Sequence, residues 1–210
     1  MKMASLIMKK LWLENRKFID SSSLKSICEE LGVSYKIMIQ YLLARKYLVR
    51  IFRGIFYVKS VEEIEFGRLN VSHLWLVARG LEMKGVKNWY FGLYTALRLN
   101  GVTHEYFDVD FVLNDVIFRF REVNIAGRKF KFVKIKPSLF FGVKVREGIK
   151  YSDLEKTILD FIYLWRYRGI PEEKILLDVS ELVESASREK LFRYSKMYPK
   201  TVRKFLERIC

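Results

Sequence analysis

Few residues in this 210-residue chain are of a type and spacing to make or break bonds. The strongest constellation is Asp108-Val109-Asp110. On a strand, side chains two apart share a face, so both carboxylates could aim at one metal ion, the arrangement used in two-metal phosphoryl transfer. Nucleotidyltransferases of the polymerase-β type also need a Gly-Ser turn opening a helix just upstream to hold the triphosphate. Here the upstream segment reads Gly92-Leu93-Tyr94. A restriction-type nuclease would want Glu/Asp-x-Lys on the following strand, where Glu122-Val123-Asn124 stands instead. His73 and His104 have no ligating partner at helical spacing. Neither a phosphate-cradling G-x-x-x-x-G-K-[ST] loop nor a G-x-S-x-G nucleophile turn occurs. The expectation is a chain that is not an enzyme and holds no metal or cofactor, with Asp108 and Asp110 on the solvated face of a strand.

The chemistry that remains is recognition of a polyanion. Ser34, Tyr35, Lys36, Ile39 and Gln40 fall on what reads as the outer face of a short helix. Gln40 suits a bidentate contact to adenine, Ile39 a thymine methyl, and Tyr35 and Lys36 a base or a phosphate. Arg50, Arg53 and Lys59 follow on or beside a hairpin whose turn is Arg53-Gly54 and are expected to hold the phosphate backbone.

The elements that would position these residues run from Ser21 to Val58. A helix begins at the serine cluster, carries Leu24, Ile27, Cys28 and Leu31 on one face, and stops at Gly32. Ser34 is suited to start a second helix, through Lys46, with Met38 and Leu42 inward and Ile37 and Tyr41 flanking them. Leu48 to Phe52 and Ile55 to Val58 then flank the glycine turn. Ser5 to Leu13 reads as a preceding helix, and Lys17 to Asp20 as a short strand joining the hairpin. That order is the winged helix-turn-helix, whose second helix is shaped for the major groove of double-stranded operator DNA.

Charge agrees with this placement. The net charge is +15. Residues 1–60 hold twelve Lys/Arg against four Asp/Glu; residues 61–187 are nearly neutral, and residues 188–210 hold eight against two. A concentrated positive field is rewarded by counterion release from phosphates. The boundary between residues 1–60, the DNA-binding domain, and residues 61–210 is placed where the charge balance changes. Half the residues are hydrophobic and 30% are charged, the profile of a folded chain. No apolar run reaches the ~18 residues of a membrane span, and MKMASLIMKKLWLENRK lacks a cleavage site, so a cytoplasmic protein is expected. Cys28 and Cys210 suggest no disulfide framework.

The second region reads as α+β. Helices are expected over Val61 to Lys84, broken at Gly67 and Gly80, and over Trp89 to Leu99. Period-two segments FDVDFVLND, VIFRFREV, KFKFVKIK and LFFGVKV predict a mostly antiparallel sheet of about four strands between Phe107 and Val145. Ser152 to Glu155 has the spacing of a capping box opening a helix from Leu154 to Arg168, and two or three more helices follow.

YFGLYTALRLNGVTH (Tyr90 to His104) and YSDLEKTILDFIYLWRYRG (Tyr151 to Gly169) resemble the two recurring helical signatures of the AbiEi-type antitoxins, the transcriptional regulators of type IV toxin-antitoxin pairs. LLARKYLVRIFRGIFYV resembles that family's recognition-helix end and wing, with Lys46 where many relatives have glycine. The likeness runs from about Leu24 to Gly169. It implies a winged helix that represses its own operon and a C-terminal domain that counteracts a nucleotidyltransferase-like toxin, directly or indirectly, in a monomer or weak dimer. Rival expectations are a stand-alone winged-helix regulator and, less favoured, a metal-dependent nuclease or nucleotidyltransferase using Asp108 and Asp110.

Overall fold

The computed structural model describes residues 2–209; Met1 and Cys210 lie outside the described residues. The chain is mixed α and β, and it divides into two compact units: Met1–Gly85 with Ile125–Gly127, and Val86–Asn124 with Arg128–Cys210. Among the described residues no helix is long and apolar enough to cross a membrane.

The first unit begins with α1 (Lys2–Leu13), β1 (Phe18–Asp20), α2 (Ser21–Glu30) and α3 (Tyr35–Ala44), followed by the hairpin β2 (Leu48–Phe52) and β3 (Ile55–Val58). The three strands pair antiparallel in the order β1-β3-β2. The helices bury Ile7, Leu11, Leu24, Cys28, Met38 and Leu42 against Leu48, Phe56 and Val58 of the hairpin. Gly32 ends α2 with φ +65°, the left-handed conformation that a glycine takes without strain. Lys46 takes the same region at φ 57° after α3, where its side chain makes the turn costlier.

The boundary expected at residue 60 falls inside this unit, because two further helices pack on its sheet. These are α4 (Val61–Glu65) and α5 (His73–Met83). Glu63 is buried, and its carboxylate accepts from Tyr57 Oη (3.0 Å) and from the backbone N–H groups of Ser60 (2.9 Å) and Asn70 (2.7 Å). It thereby joins β3 to α4 and the turn beyond. Trp75 of α5 completes an aromatic cluster with Phe18 (5.4 Å between centroids) and Tyr57 (6.4 Å). Gly80 does not break α5 as expected. It lets the helix approach β2 so closely that a Cβ there would lie 2.7 Å from Ile51 and 2.8 Å from Phe52. Charge balance marked composition at residue 60, but burial decides where a folded unit ends.

The second unit is organised on a six-stranded sheet of order β6-β7-β5-β4-β9-β8, comprising β4 (Trp89–Phe91), β5 (Val109–Asn114), β6 (Val123–Ile125), β7 (Arg128–Lys134), β8 (Val143–Arg146) and β9 (Ile149–Ser152). It is mixed rather than mostly antiparallel: β5 runs parallel to β7 over six residue pairs, and β4 parallel to β9, while β4–β5 and β8–β9 are antiparallel. Trp89 to Phe91 is strand, not the start of a helix; α6 (Leu93–Leu99) begins after Gly92, where a Cβ would meet Leu113 at 2.7 Å. The segment VIFRFREV contributes strand only from Val123. Asn114 turns the chain first, accepting from the backbone N–H groups of Val116 (3.0 Å) and Ile117 and donating to Ile117 O (2.9 Å).

The helices α7 (Leu154–Tyr167), α8 (Glu172–Glu184), α9 (Arg188–Ser195) and α10 (Lys200–Ile209) complete this unit. The cap of α7 is Asp153, which accepts from Lys156 N (2.9 Å), one residue later than the expected capping box. Ser152 instead bonds Thr157 Oγ1 (2.7 Å), and Glu155 reaches Ser187 N (3.1 Å). The basic C-terminal stretch is folded, with Leu191, Val202, Phe205 and Leu206 in the core beside Ile158 and Ile162.

Two stability changes follow. Gly80→Ala should destabilise the first unit by ~1–3 kcal/mol through overpacking against β2. Glu63→Ala should cost at least ~2 kcal/mol by leaving buried donors without their acceptor. Urea unfolding measured on both variants checks the pair; wild-type midpoints would refute the packing described.

Candidate nucleic-acid interface

The start of α3 and the tip of the β2–β3 hairpin meet the start of α2 at one residue, Ser21. Its hydroxyl accepts from Tyr35 Oη at 3.0 Å, and its backbone N–H donates to Gly54 O at 2.9 Å. Gly54 has φ +79°, and a Cβ there would stand 3.2 Å from Ser21 Oγ, so the turn needs glycine for both conformation and approach. Asp20 fixes Ser21 in turn. It caps α2 by accepting from Ser23 N (2.8 Å) and from the Ser22 and Ser23 hydroxyls. The Ser22 hydroxyl and the Ser23 backbone N–H hold the Asp20 carboxyl below its usual range against a smaller effect of burial.

Of the residues expected to contact DNA, Ser34, Lys36 and Gln40 are exposed on α3 and Tyr35 is half-buried. Ser34 stands at the helix N-cap without a side-chain capping bond. Arg53 is exposed at the hairpin tip, and the exposed Arg50 guanidinium lies 5.9 Å from the centroid of Phe56. Two residues leave the set. Ile39 is only 8% exposed and packs with Met38 and Leu42; Lys59 is 6% exposed, its backbone bonded to Tyr47 O and Trp12 Nε1. Ile37, expected to flank the core, is 68% exposed. Helical spacing against the exposed pair does not separate the two isoleucines: Ile37 is roughly 60° from Gln40 and 100° from Lys36, and Ile39 the reverse. Nothing within the run Ile37-Met38-Ile39 marks which isoleucine turns outward.

The electrostatics of this face are simple. Lys10 pairs with Glu30 (2.7 Å) and Lys25 with Glu29 (3.6 Å), but among the described residues no carboxylate pairs with Lys36, Arg50 or Arg53. These cations remain available to an anion.

Asp108 and Asp110 do not share the solvated strand face expected of them. Asp108 is exposed ahead of β5, whereas Asp110 is buried and bonded to Arg98 (2.8 Å), Thr95 (3.1 Å) and Arg128 (3.5 Å). Two guanidiniums thus stand at the Asp110 carboxylate.

The segments Tyr90–His104 and Tyr151–Gly169 come together in the second unit. Phe91 of β4 pairs with Tyr151 of β9, and behind them Lys156 and Asp160 of α7 form a fully buried ion pair. Lys156 Nζ also donates to Tyr90 Oη (2.8 Å) and Tyr198 Oη (2.6 Å), and both tyrosines donate to Asp160. Burial pulls the Lys156 ammonium down while Asp160 opposes it; burial, then the Asp160 charge, pushes both tyrosines well up. The polar groups of Lys156, Asp160, Tyr90 and Tyr198 are thus answered from within the cluster.

No protein-family model and no curated protein matches the chain. Its fold is similar to that in the crystal structure of the RV2827C protein from Mycobacterium tuberculosis, with a TM-score of 0.64 and 13% sequence identity over 100% of this chain and 76% of that one. At that identity the likeness is one of fold.

The Asp20 cap yields a signed pH dependence. Its folded pKa lies below the unfolded 3.8, so its contribution is present above that value and is lost as pH falls through the folded one. Asp20→Ala should cost ~1 kcal/mol at neutral pH and flatten the acid limb of the stability curve. Thermal melts between acidic and neutral pH check this; coincident curves would show that the cap contributes nothing, and parallel offset curves that its contribution does not depend on the Asp20 charge.

Proposed function

We propose that the first unit is a winged helix-turn-helix that reads double-stranded operator DNA, and that the chain is a non-enzymatic transcriptional autorepressor. The observation that carries this reading is the joining of α3 and the hairpin tip at Ser21, with Lys36, Ile37 and Gln40 exposed on one and Arg53 on the other. The element order and the β1-β3-β2 sheet support it, as does the charge of residues 1–60. In this reading α3 enters the major groove, Gln40 addresses a base edge and Ile37 a thymine methyl. Lys36, Arg50 and Arg53 bind phosphates.

The antitoxin role rests on the resemblance of Tyr90–His104 and Tyr151–Gly169 to the AbiEi-type signatures. The proposed partner is a nucleotidyltransferase-like toxin, counteracted directly or indirectly in the cytoplasm. The engagement of Asp110 by Arg98 and Arg128 weighs against the enzyme alternative.

Lys36→Ala and Arg53→Ala should each weaken binding to the chain's own promoter. Because each removes one phosphate-binding cation, each should also reduce the slope of log K against log salt by about one. Electrophoretic shifts across a salt series measure both quantities, and unchanged binding in both variants would overturn the interface. The Lys36→Ala/Arg53→Ala double variant should lose operator repression but still rescue growth when co-expressed with the product of the neighbouring gene. Loss of rescue by this variant, with folding intact, would tie the antitoxin role to DNA binding and refute the division of labour.

A further inference from the structure

The nearly neutral balance of residues 61–187 conceals a strongly basic segment. Between Val116 and Lys136 stand seven Lys/Arg and one acidic residue, Glu122. Arg128 is turned to Asp110, which leaves Arg119, Arg121, Lys129, Lys131, Lys134 and Lys136. Within the same stretch Phe118 is 60% exposed and Phe120 82%. The sequence Phe118-Arg119-Phe120-Arg121 thus presents alternating aromatic and guanidinium groups, all four exposed.

This presentation is built rather than incidental. Asn114, fully buried at the end of β5, bonds the backbone at Val116 and Ile117 and turns the chain back. The backbone N–H of Arg119 donates to Phe132 O at 3.4 Å, laying the segment alongside β7. Lys131 Nζ donates to Phe120 O and stands 5.9 Å from the centroid of the Phe120 ring. An exposed aromatic ring is thereby fixed beside a cation, with exposed Lys129 on the same face of the strand as Lys131.

Exposed phenylalanines cost free energy in water unless a partner covers them, and the surrounding charge selects what that partner is. An acidic protein surface would satisfy the cations but supplies no planar rings at regular spacing. Duplex DNA would satisfy the cations too, but its bases are stacked on one another and offer phenyl rings no face. Unpaired bases on a phosphate backbone satisfy both.

We propose that Phe118 to Arg121, with Lys129 and Lys131 of β7, is a binding strip for single-stranded nucleic acid. Phe118 and Phe120 stack on unpaired bases, and the arginines and lysines neutralise the intervening phosphates. This site is in the second unit and is independent of the duplex contacts proposed for the first.

The test uses the full chain carrying Lys36→Ala/Arg53→Ala, which removes the proposed duplex contacts. Fluorescence anisotropy is read with labelled oligo(U), oligo(dT) and a mixed-sequence duplex, each about 15 nucleotides long. Both single strands should bind more tightly than the duplex. Adding Phe118→Ala/Phe120→Ala should weaken single-strand binding at least about 30-fold, with the melting temperature unchanged because both rings are exposed. Adding Arg119→Ala/Arg121→Ala should reduce the salt slope by about 1.4. Three results would each overturn the proposal: no single-strand binding, binding indifferent to the loss of both phenylalanines, or equal loss of duplex binding in the phenylalanine variant. Sedimentation of the same variants covers the competing occupant: self-association abolished by Phe118→Ala/Phe120→Ala, with single-strand binding intact, would make the strip an interface between copies of the chain and overturn the proposal.

Discussion

The second unit depends on one buried ion pair, Lys156 with Asp160. An ammonium and a carboxylate without access to water are tolerated only when their remaining donor and acceptor positions are filled, because the desolvation cost otherwise exceeds their attraction. Tyr90 and Tyr198 fill them, and the rings of Tyr90, Phe141 and Tyr198 lie about the ammonium with centroids at 5.0, 5.2 and 5.2 Å. The cluster therefore specifies where β4, α7 and the turn before α10 must be relative to one another. An apolar substitute could pack the same space but would not discriminate among those placements.

The first unit uses a smaller version of the same device. Glu63, a buried carboxylate satisfied by a tyrosine and two backbone donors, fixes α4 to β3. Ser21 does comparable work at the surface, where it sets the spacing between α3 and the hairpin tip. A groove reader and a backbone contact are useful to a DNA-binding protein only at a fixed separation, since phosphates and base edges are themselves rigidly spaced. Order at Ser21 is thus a condition for the proposed function as much as for the fold.

Charge is distributed accordingly. Among the described residues, cations on the exposed face of α3 and at the hairpin pair with no carboxylate, while Lys190, packed against α7, bonds Asp153 (3.0 Å) and Glu155 (2.9 Å). Burial alone would raise the Glu155 pKa, yet the Lys190 and backbone bonds hold it below its usual value. The distinction between paired and unpaired cations separates structural from recognition roles, and net charge by segment does not make it. The basic strip beside β7 escaped the segment totals because acidic residues elsewhere in residues 61–187 cancelled it.

The sequence by itself determined the local elements of the first 60 residues, because helix and hairpin signals there act over a few residues: periodic apolar positions, Gly32 and the Arg53-Gly54 turn. The mixed α and β character of the remainder was legible in the same way. Only the tertiary structure decided that Ile37 faces out and Ile39 in, since three successive isoleucine and methionine side chains are equally apolar until a core selects among them. Tertiary structure likewise carried the first unit to Gly85, made the central β5–β7 ladder parallel, and turned Asp110 from a possible metal ligand into the partner of Arg98 and Arg128. Each of those outcomes depends on residues distant in the chain, whose meeting no local spacing encodes.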